Sequence, residues 1–227
     1  MLVVTAHPDD VDFGAAGTVA AFRDAGTEVA YCIVTNGEAG GDDRTVPRAQ
    51  MASLRQDEQR DAAAQVGVTD VTFLGYPDGR LAPSIELRRD ICRVIRRFRP
   101  DRVLAQSPDR LWDRIFASHP DHLAAGEAAT CAVYPDARNP FAHPELLAEG
   151  LEPHIVQELW LMAAPAPTIT VETTGSMDRK IAALRCHRSQ HGEDVADRVV
   201  EWGRATAAGA GMPDGSTAEQ FQVVRAG

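Results

Sequence analysis

The sequence predicts a single α/β domain of Rossmann-like type, a mostly parallel sheet with helices on both faces. Two observations predict it. Through the first half of the chain, apolar runs of strand length alternate with helical segments. Those runs are apolar throughout, as strands buried on both faces are, and turn residues such as Gly26, Gly67 and Pro100 punctuate them.

Leu2-Val3-Val4-Thr5 opens a first strand over residues 2–6. A helix is expected over 13–25, ending at Gly26, a usual residue just past a helix C-terminus. Residues 28–35 form a second strand, and the Gly- and Asp-rich stretch 36–47 is a loop. A long helix spans 48–66 and stops at Gly67. A third strand covers 70–74, and a third helix covers 84–99 and ends before Pro100. Val103-Leu104-Ala105 centres a fourth strand. Beyond residue 122 the pattern thins. A helix over 122–133 and a loop over 136–153 are expected, then strands over 155–162 and 168–172. Helices over 176–188 and 193–208 follow, with a closing strand over 219–225. No repeat, low-complexity tract or linker divides the 227 residues, so one domain over 1–227 is expected, and a chain this long can bury a sizeable core.

Composition excludes some partners. A formal net charge of −10 argues against nucleic acid and anionic membrane, both of which reward clustered positive charge. Lys180 is the only lysine among 23 basic residues. With no long apolar run and no signal-peptide pattern, a soluble cytoplasmic protein is expected. Cys32, Cys92, Cys131 and Cys186 are far apart, which suits reduced thiols better than a disulfide framework or a metal knuckle. A homo-oligomer is compatible with the sequence.

Two runs carry the chemistry: Ala6-His7-Pro8-Asp9-Asp10 and His119-Pro120-Asp121-His122. Each sets a histidine and a second metal-ligand residue three apart, with an aspartate between. The first follows the first strand and the second lies beyond the fourth. In open α/β sheets ligands bind outside the carboxyl ends of the strands, so the two runs are expected to converge. With His7, Asp10 and His122 as ligands, two imidazoles, one carboxylate and an open position suit one catalytic Zn²⁺ per chain. An all-oxygen magnesium site seldom recruits two histidines. Zinc lowers the pKa of its water to about 7. Asp9 would be the base that takes the water proton. His119 would stabilise the oxyanion or protonate the leaving group, and Asp121 would fix the tautomer of His119. The same residues also read as caps, with Asp9 and Asp10 starting one helix and His119 preceding Pro120 at the start of another. No G-x-x-x-x-G-K-[ST] or G-x-G-x-x-G follows the first strand, and no G-x-S-x-G occurs, so phosphate-cradling and serine-hydrolase chemistry have no support.

On these motifs the chain resembles the LmbE-like, or PIG-L, zinc N-deacetylases, which act mainly on N-acetylglucosamine conjugates. The resemblance continues through Thr35-Asn36-Gly37-Glu38, Arg55-Gln56-Asp57-Glu58, Phe73-Leu74-Gly75 with Asp78-Gly79, and Lys180-Ile181-Ala182-Ala183-Leu184 leading to His187-Arg188-Ser189-Gln190. It implies the same ligands, base and electrostatic catalyst, and adds Arg55 and Asp78 as sugar-binding residues. Alone, Arg55 would read as a helix-surface ion-pair residue and Asp78 as a turn residue. It also implies a small-molecule N-acetyl amino-sugar conjugate as substrate, cleaved to acetate and a free amine. His187 and Gln190 are expected on one helical face, lining the cleft or a subunit contact. His143, His154 and His191 match no motif and read as surface residues. Some relatives carry a tyrosine just before the second motif, whereas Phe116-Ala117-Ser118 offers no phenol here. Retention of Asp9 and His119 argues against a non-catalytic binding protein, which needs neither.

Overall fold

The computed structural model describes residues 1–192 and 194–227. A seven-stranded sheet has the order β3-β2-β1-β4-β5-β7-β6. The strands are β1 (Leu2–Thr5), β2 (Ala30–Thr35), β3 (Asp70–Tyr76), β4 (Arg102–Gln106), β5 (Glu158–Met162), β6 (Ile169–Glu172) and β7 (Ala218–Arg225). The first five pair in parallel. β7 runs antiparallel to both β5 and β6, which gives the sheet one antiparallel edge.

Successive residues of a strand point to opposite faces, and β1 divides its side chains accordingly. Leu2 and Val4 join a core with Val34, Ile91, Ile95 and Ala105, under α4 (Ile85–Phe98) and α5 (Pro120–Cys131). Val3 joins another core with Tyr31, Ile33, Trp160 and Phe221, under α2 (Ala16–Asp24) and α3 (Arg48–Gln65). Both faces are thus covered, as a parallel sheet requires. The strand order reverses direction between β1 and β4, the point where doubly wound sheets open a crevice. Gln106 ties that point together, its side-chain oxygen accepting from the Ala6 N–H at 2.9 Å.

Several elements differ from expectation. The first helix begins at Asp10, not 13, and breaks at Ala15 into α1 (Asp10–Gly14) and α2. The break is held by the only lysine. Lys180 donates to the Phe13 carbonyl at 2.6 Å, on the last turn of α1, and to Glu219 Oε1 at 2.5 Å. Glu219, on β7, accepts from the Gly17 and Thr18 N–H groups that open α2. Further along, a short helix α6 (Pro144–Ala148) lies inside the stretch expected as loop. The helix expected over 176–188 is α7 (Met177–Leu184) and ends early. His187 and Gln190 therefore lie on the turn after it, where the Gln190 N–H reaches the His187 carbonyl, and not along one helical face. The last helix, expected over 193–208, is α8 (Val195–Gly209); residue 193 lies outside the described residues. Among the described residues no helix is long and apolar enough to cross a membrane.

Gly126 lets α5 lie close on β4, since a Cβ there would collide with the Gln106 carbonyl. That contact seats the start of α5, and so the second motif, beside the end of β1.

Lys180 and Glu219 are both buried, and removing one partner of a buried pair typically costs about 3–5 kcal/mol. Lys180→Met should lower stability by about that amount in urea unfolding, and adding Glu219→Gln should recover part of it.

Candidate active site

β1 delivers its last residues into a tight turn. Asp9 precedes α1 with φ 83°, a left-handed conformation that is uncommon for a residue with a Cβ. Three contacts hold it there. The His7 N–H donates to Asp10 Oδ2 at 2.7 Å. The Asp9 N–H donates to Gln59 Oε1 at 2.8 Å, and Arg55 donates from NH2 to the Pro8 carbonyl at 2.7 Å. The second motif opens α5, with Pro120 at its first position. The His119 ring caps that helix, Nδ1 accepting from the Asp121 N–H at 3.2 Å. His119 thus has the capping geometry expected of it, whereas the Asp9 side chain caps nothing.

The carboxylate of Asp10 sits between two imidazoles. Its Oδ2 is 3.3 Å from His7 Nδ1 and its Oδ1 is 3.0 Å from His122 Nε2. Each ring is anchored through its other nitrogen. His122 Nδ1 lies 3.1 Å from the Ala117 carbonyl, which can only accept, so Nδ1 carries the hydrogen. His7 Nε2 lies 3.1 Å from Asp78 Oδ1 and 3.3 Å from Asp121 Oδ2. The three imidazoles of His7, His119 and His122 bring nitrogens within 4.8 Å of one another, and so do the donor atoms of His7, Asp78 and Asp121.

The field here is strongly negative. Burial alone would discharge His7, but Asp10, with Asp121 and Asp78, outweighs it and pushes the ring up to about 12. His122 is also raised, the attraction of Asp10 overcoming burial. Asp10 lies well below the usual carboxylate range because His122 and His7 outweigh its burial. His119 moves the other way. Burial lowers it, and the neighbouring His7 and His122 lower it further, so at neutral pH its ring is uncharged. With Nδ1 accepting, the ring hydrogen is on Nε2.

The remaining residues singled out in the sequence have these surroundings. The Asp121 carboxylate turns to His7 and to the N–H groups of Gly79 and Leu81 at 2.7 and 3.2 Å; only its backbone N–H meets His119. Arg55 is 4% exposed and spends its guanidinium inward, on the Gly37 and Pro8 carbonyls and on Asp9 Oδ2 at 3.2 Å. Asp78 accepts from the Ala39 N–H and faces His7. Arg55 and Asp78, the residues expected to hold a sugar, thus contact and brace the motif residues. His187 is 1% exposed and pairs with Asp12 at 2.8 Å, behind α1. Gln190 contacts Ser189 and Met51. His143 and His154, expected at the surface, are half-buried and hydrogen-bonded to Asp136 and the Pro100 carbonyl.

Sequence reading missed Asp12, Gln59 and His191. Gln59 links Asp12 to Asp9, donating to Asp12 at 2.9 Å while accepting from the Asp9 N–H, and His191 Nε2 lies 2.9 Å from Asp9 Oδ2. Asp12 could have been noted two residues past the first motif. Nothing in local spacing signals His191, 182 positions from its partner.

A doubly wound sheet whose switch point gathers three histidines and several carboxylates around one cleft is the framework of a metal-dependent hydrolase. The chain belongs to the PIG-L family, whose model, described as GlcNAc-PI de-N-acetylase, matches residues 2–133. It is an amide hydrolase of the deacetylase type. Among its relatives is the diacetylchitobiose deacetylase of Thermococcus kodakarensis, 34% identical over 199 residues that cover 86% of this chain and 71% of that one. A probable N-acetyl-α-D-glucosaminyl L-malate deacetylase 2 of Bacillus anthracis is 29% identical, covering 89% of this chain and 90% of the relative. The solved N,N′-diacetylchitobiose deacetylase of Pyrococcus horikoshii superposes with a TM-score of 0.90 at 29% identity, covering 99% of this chain and 83% of the other.

Burial lowers His187, but its bond and charge attraction to Asp12 outweigh this, with Asp9 and Glu58 adding to the rise. Its folded value is thus above the unfolded value of about 6.5. The pair's stabilisation is then full below about pH 6.5 and fades as pH climbs through the raised value. The stability gap between the parent and His187→Gln in urea unfolding should narrow from pH 6 to pH 9; a gap that widened would contradict this.

Proposed function

We propose that this protein removes the acetyl group from an N-acetylated amino-sugar conjugate, with one zinc ion held by His7, Asp10 and His122. One observation carries the assignment: Asp10 lies between two imidazoles whose remaining nitrogens are both anchored by acceptors. That is how histidines are oriented toward a metal, with an outer hydrogen bond fixing ring and tautomer. The alternative donors, Asp78 and Asp121, fit less well. Asp121 accepts a backbone N–H on each oxygen, from Gly79 and Leu81, whereas Asp10 accepts one, from His7, on Oδ2 and leaves Oδ1 to His122; Asp78 and Asp121 thus serve as acceptors for His7 Nε2–H. Two nitrogens and one carboxylate suit zinc better than magnesium, and the raised His7 and His122 mark a place that favours positive charge.

Bound there, zinc supplies Lewis acidity toward water and the amide carbonyl. The chain's own groups do the rest. Asp9 takes the proton of the attacking water as oxygen bonds to the acetyl carbon. His119 presents Nε2–H, the neutral donor its cap fixes, to the oxygen on which charge develops. The C–N bond then breaks as the proton held by Asp9 goes to the departing amine, and the acetic acid so formed gives its remaining proton to solvent, leaving acetate and a free amine. No phenol from residues 116–118 is needed for this sequence. Arg55 and Asp78 act by holding Asp9 and His7.

The substrate class is supported by the relatives' names, which join an N-acetylglucosamine unit to a second group at its reducing end. Acetate release from N,N′-diacetylchitobiose and from N-acetylglucosaminyl malate tests it directly, and no release from either would sink the class.

Purified protein from zinc-replete cells should hold about one zinc per chain, and a chelator should remove both metal and activity, with added zinc restoring them. Asp9→Asn should keep its zinc and lose about 10²–10⁴ in kcat, since the amide keeps the shape but cannot take a proton. Arg55→Ala should lower kcat more than it raises KM; the reverse split would return Arg55 to sugar binding.

A further inference from the structure

His191 belongs to none of the motifs, yet it touches Asp9. Its N–H donates to the His187 carbonyl at 3.1 Å, which closes the turn after α7. Its ring meets Phe13 edge-on, centroids 4.8 Å apart at 87°. Phe13 is on α1, the helix that Asp10 begins, so the ring is braced against the element that carries the ligand. Its Nε2 then lies 2.9 Å from Asp9 Oδ2, and Arg55 NH2 reaches the same oxygen at 3.2 Å. No described residue donates to Oδ1.

A carboxylate turns broadly about its last bond, and two donors on one oxygen remove that freedom. The contact is sheltered, with side-chain exposures of 18% for His191 and 12% for Asp9, unlike a surface ion pair. We infer that His191 is a positioning residue: with Arg55 it pins Oδ2 of Asp9, so that Oδ1 is the oxygen presented to the reacting water. It has this role only if Asp9 is the base proposed above.

The test uses zinc-loaded full-length protein with N,N′-diacetylchitobiose as the probe. His191→Ala should lower kcat about tenfold to a hundredfold, the usual loss for an orienting partner, with KM and zinc content at the parental level. His191→Gln should recover most of the loss, because its amide nitrogen can donate from near the position of Nε2. In an Asp9→Asn background, His191→Ala should cost nothing further. A raised KM with parental kcat, a Gln variant as damaged as Ala, or an undiminished loss in the Asn background would each overturn the role. Parental turnover in Asp9→Asn alone would instead refute the base. A second readout needs no turnover. Asp9→Asn should move the ring nitrogen resonances of His191 while leaving those of His154, bonded to the Pro100 carbonyl, in place. Unmoved His191 resonances would overturn the contact itself.

Discussion

The site depends on a backbone conformation that its own residue disfavours. With φ at 83°, Asp9 occupies a region that costs a side-chain-bearing residue on the order of 1–2 kcal/mol. A glycine would relieve that cost and lose the carboxylate. The strain is sustained because the turn is over-determined from three directions: Asp10 on the His7 N–H, Gln59 on the Asp9 N–H, and Arg55 on the Pro8 carbonyl. Two of those three supports come from one face of α3. That helix therefore acts as a buttress, and its buried Arg55, Glu58 and Gln59 make sense as such. Glu58 in turn accepts from both the N–H and the hydroxyl of Ser189, which secures the turn that carries His191.

Each motif histidine divides its nitrogens between structure and chemistry. His119 gives Nδ1 to the helix cap and carries its hydrogen on Nε2. His122 gives Nδ1 to the Ala117 carbonyl, and His7 gives Nε2 to Asp121 and Asp78. Capping and the proposed catalysis, which read as rival explanations of His119 in the sequence, are compatible uses of one ring, since the cap occupies only Nδ1. The cap also fixes the tautomer, because an accepting Nδ1 leaves the ring hydrogen on Nε2.

Much of this was legible in the chain. The apolar runs within 2–6 and 28–35 and at 103–105 predicted buried parallel strands, and the position of the motifs after the first and fourth predicted that they would meet. The closeness of His7, Asp10 and His122 was readable from three-residue spacing and from where such sheets bind. What failed was non-local. The partner of Asp121 is 114 positions away, and Arg55 and Asp78 looked like surface and turn residues because nothing nearby in sequence reveals what they brace. The antiparallel edge was equally hidden. β7 returns from the end of the chain to lie between β5 and β6, a choice made by burying Phe221 and by the Lys180–Glu219 pair rather than by any local pattern.

The central claim is that Asp10, between His7 and His122, marks the metal. The most direct measurement is anomalous diffraction from crystals of the zinc-loaded protein, recorded on both sides of the zinc absorption edge. The account predicts one strong peak among His7 Nδ1, the Asp10 carboxylate and His122 Nε2. A peak between His7 Nε2, Asp78 and Asp121, or no peak in this cleft, would contradict it.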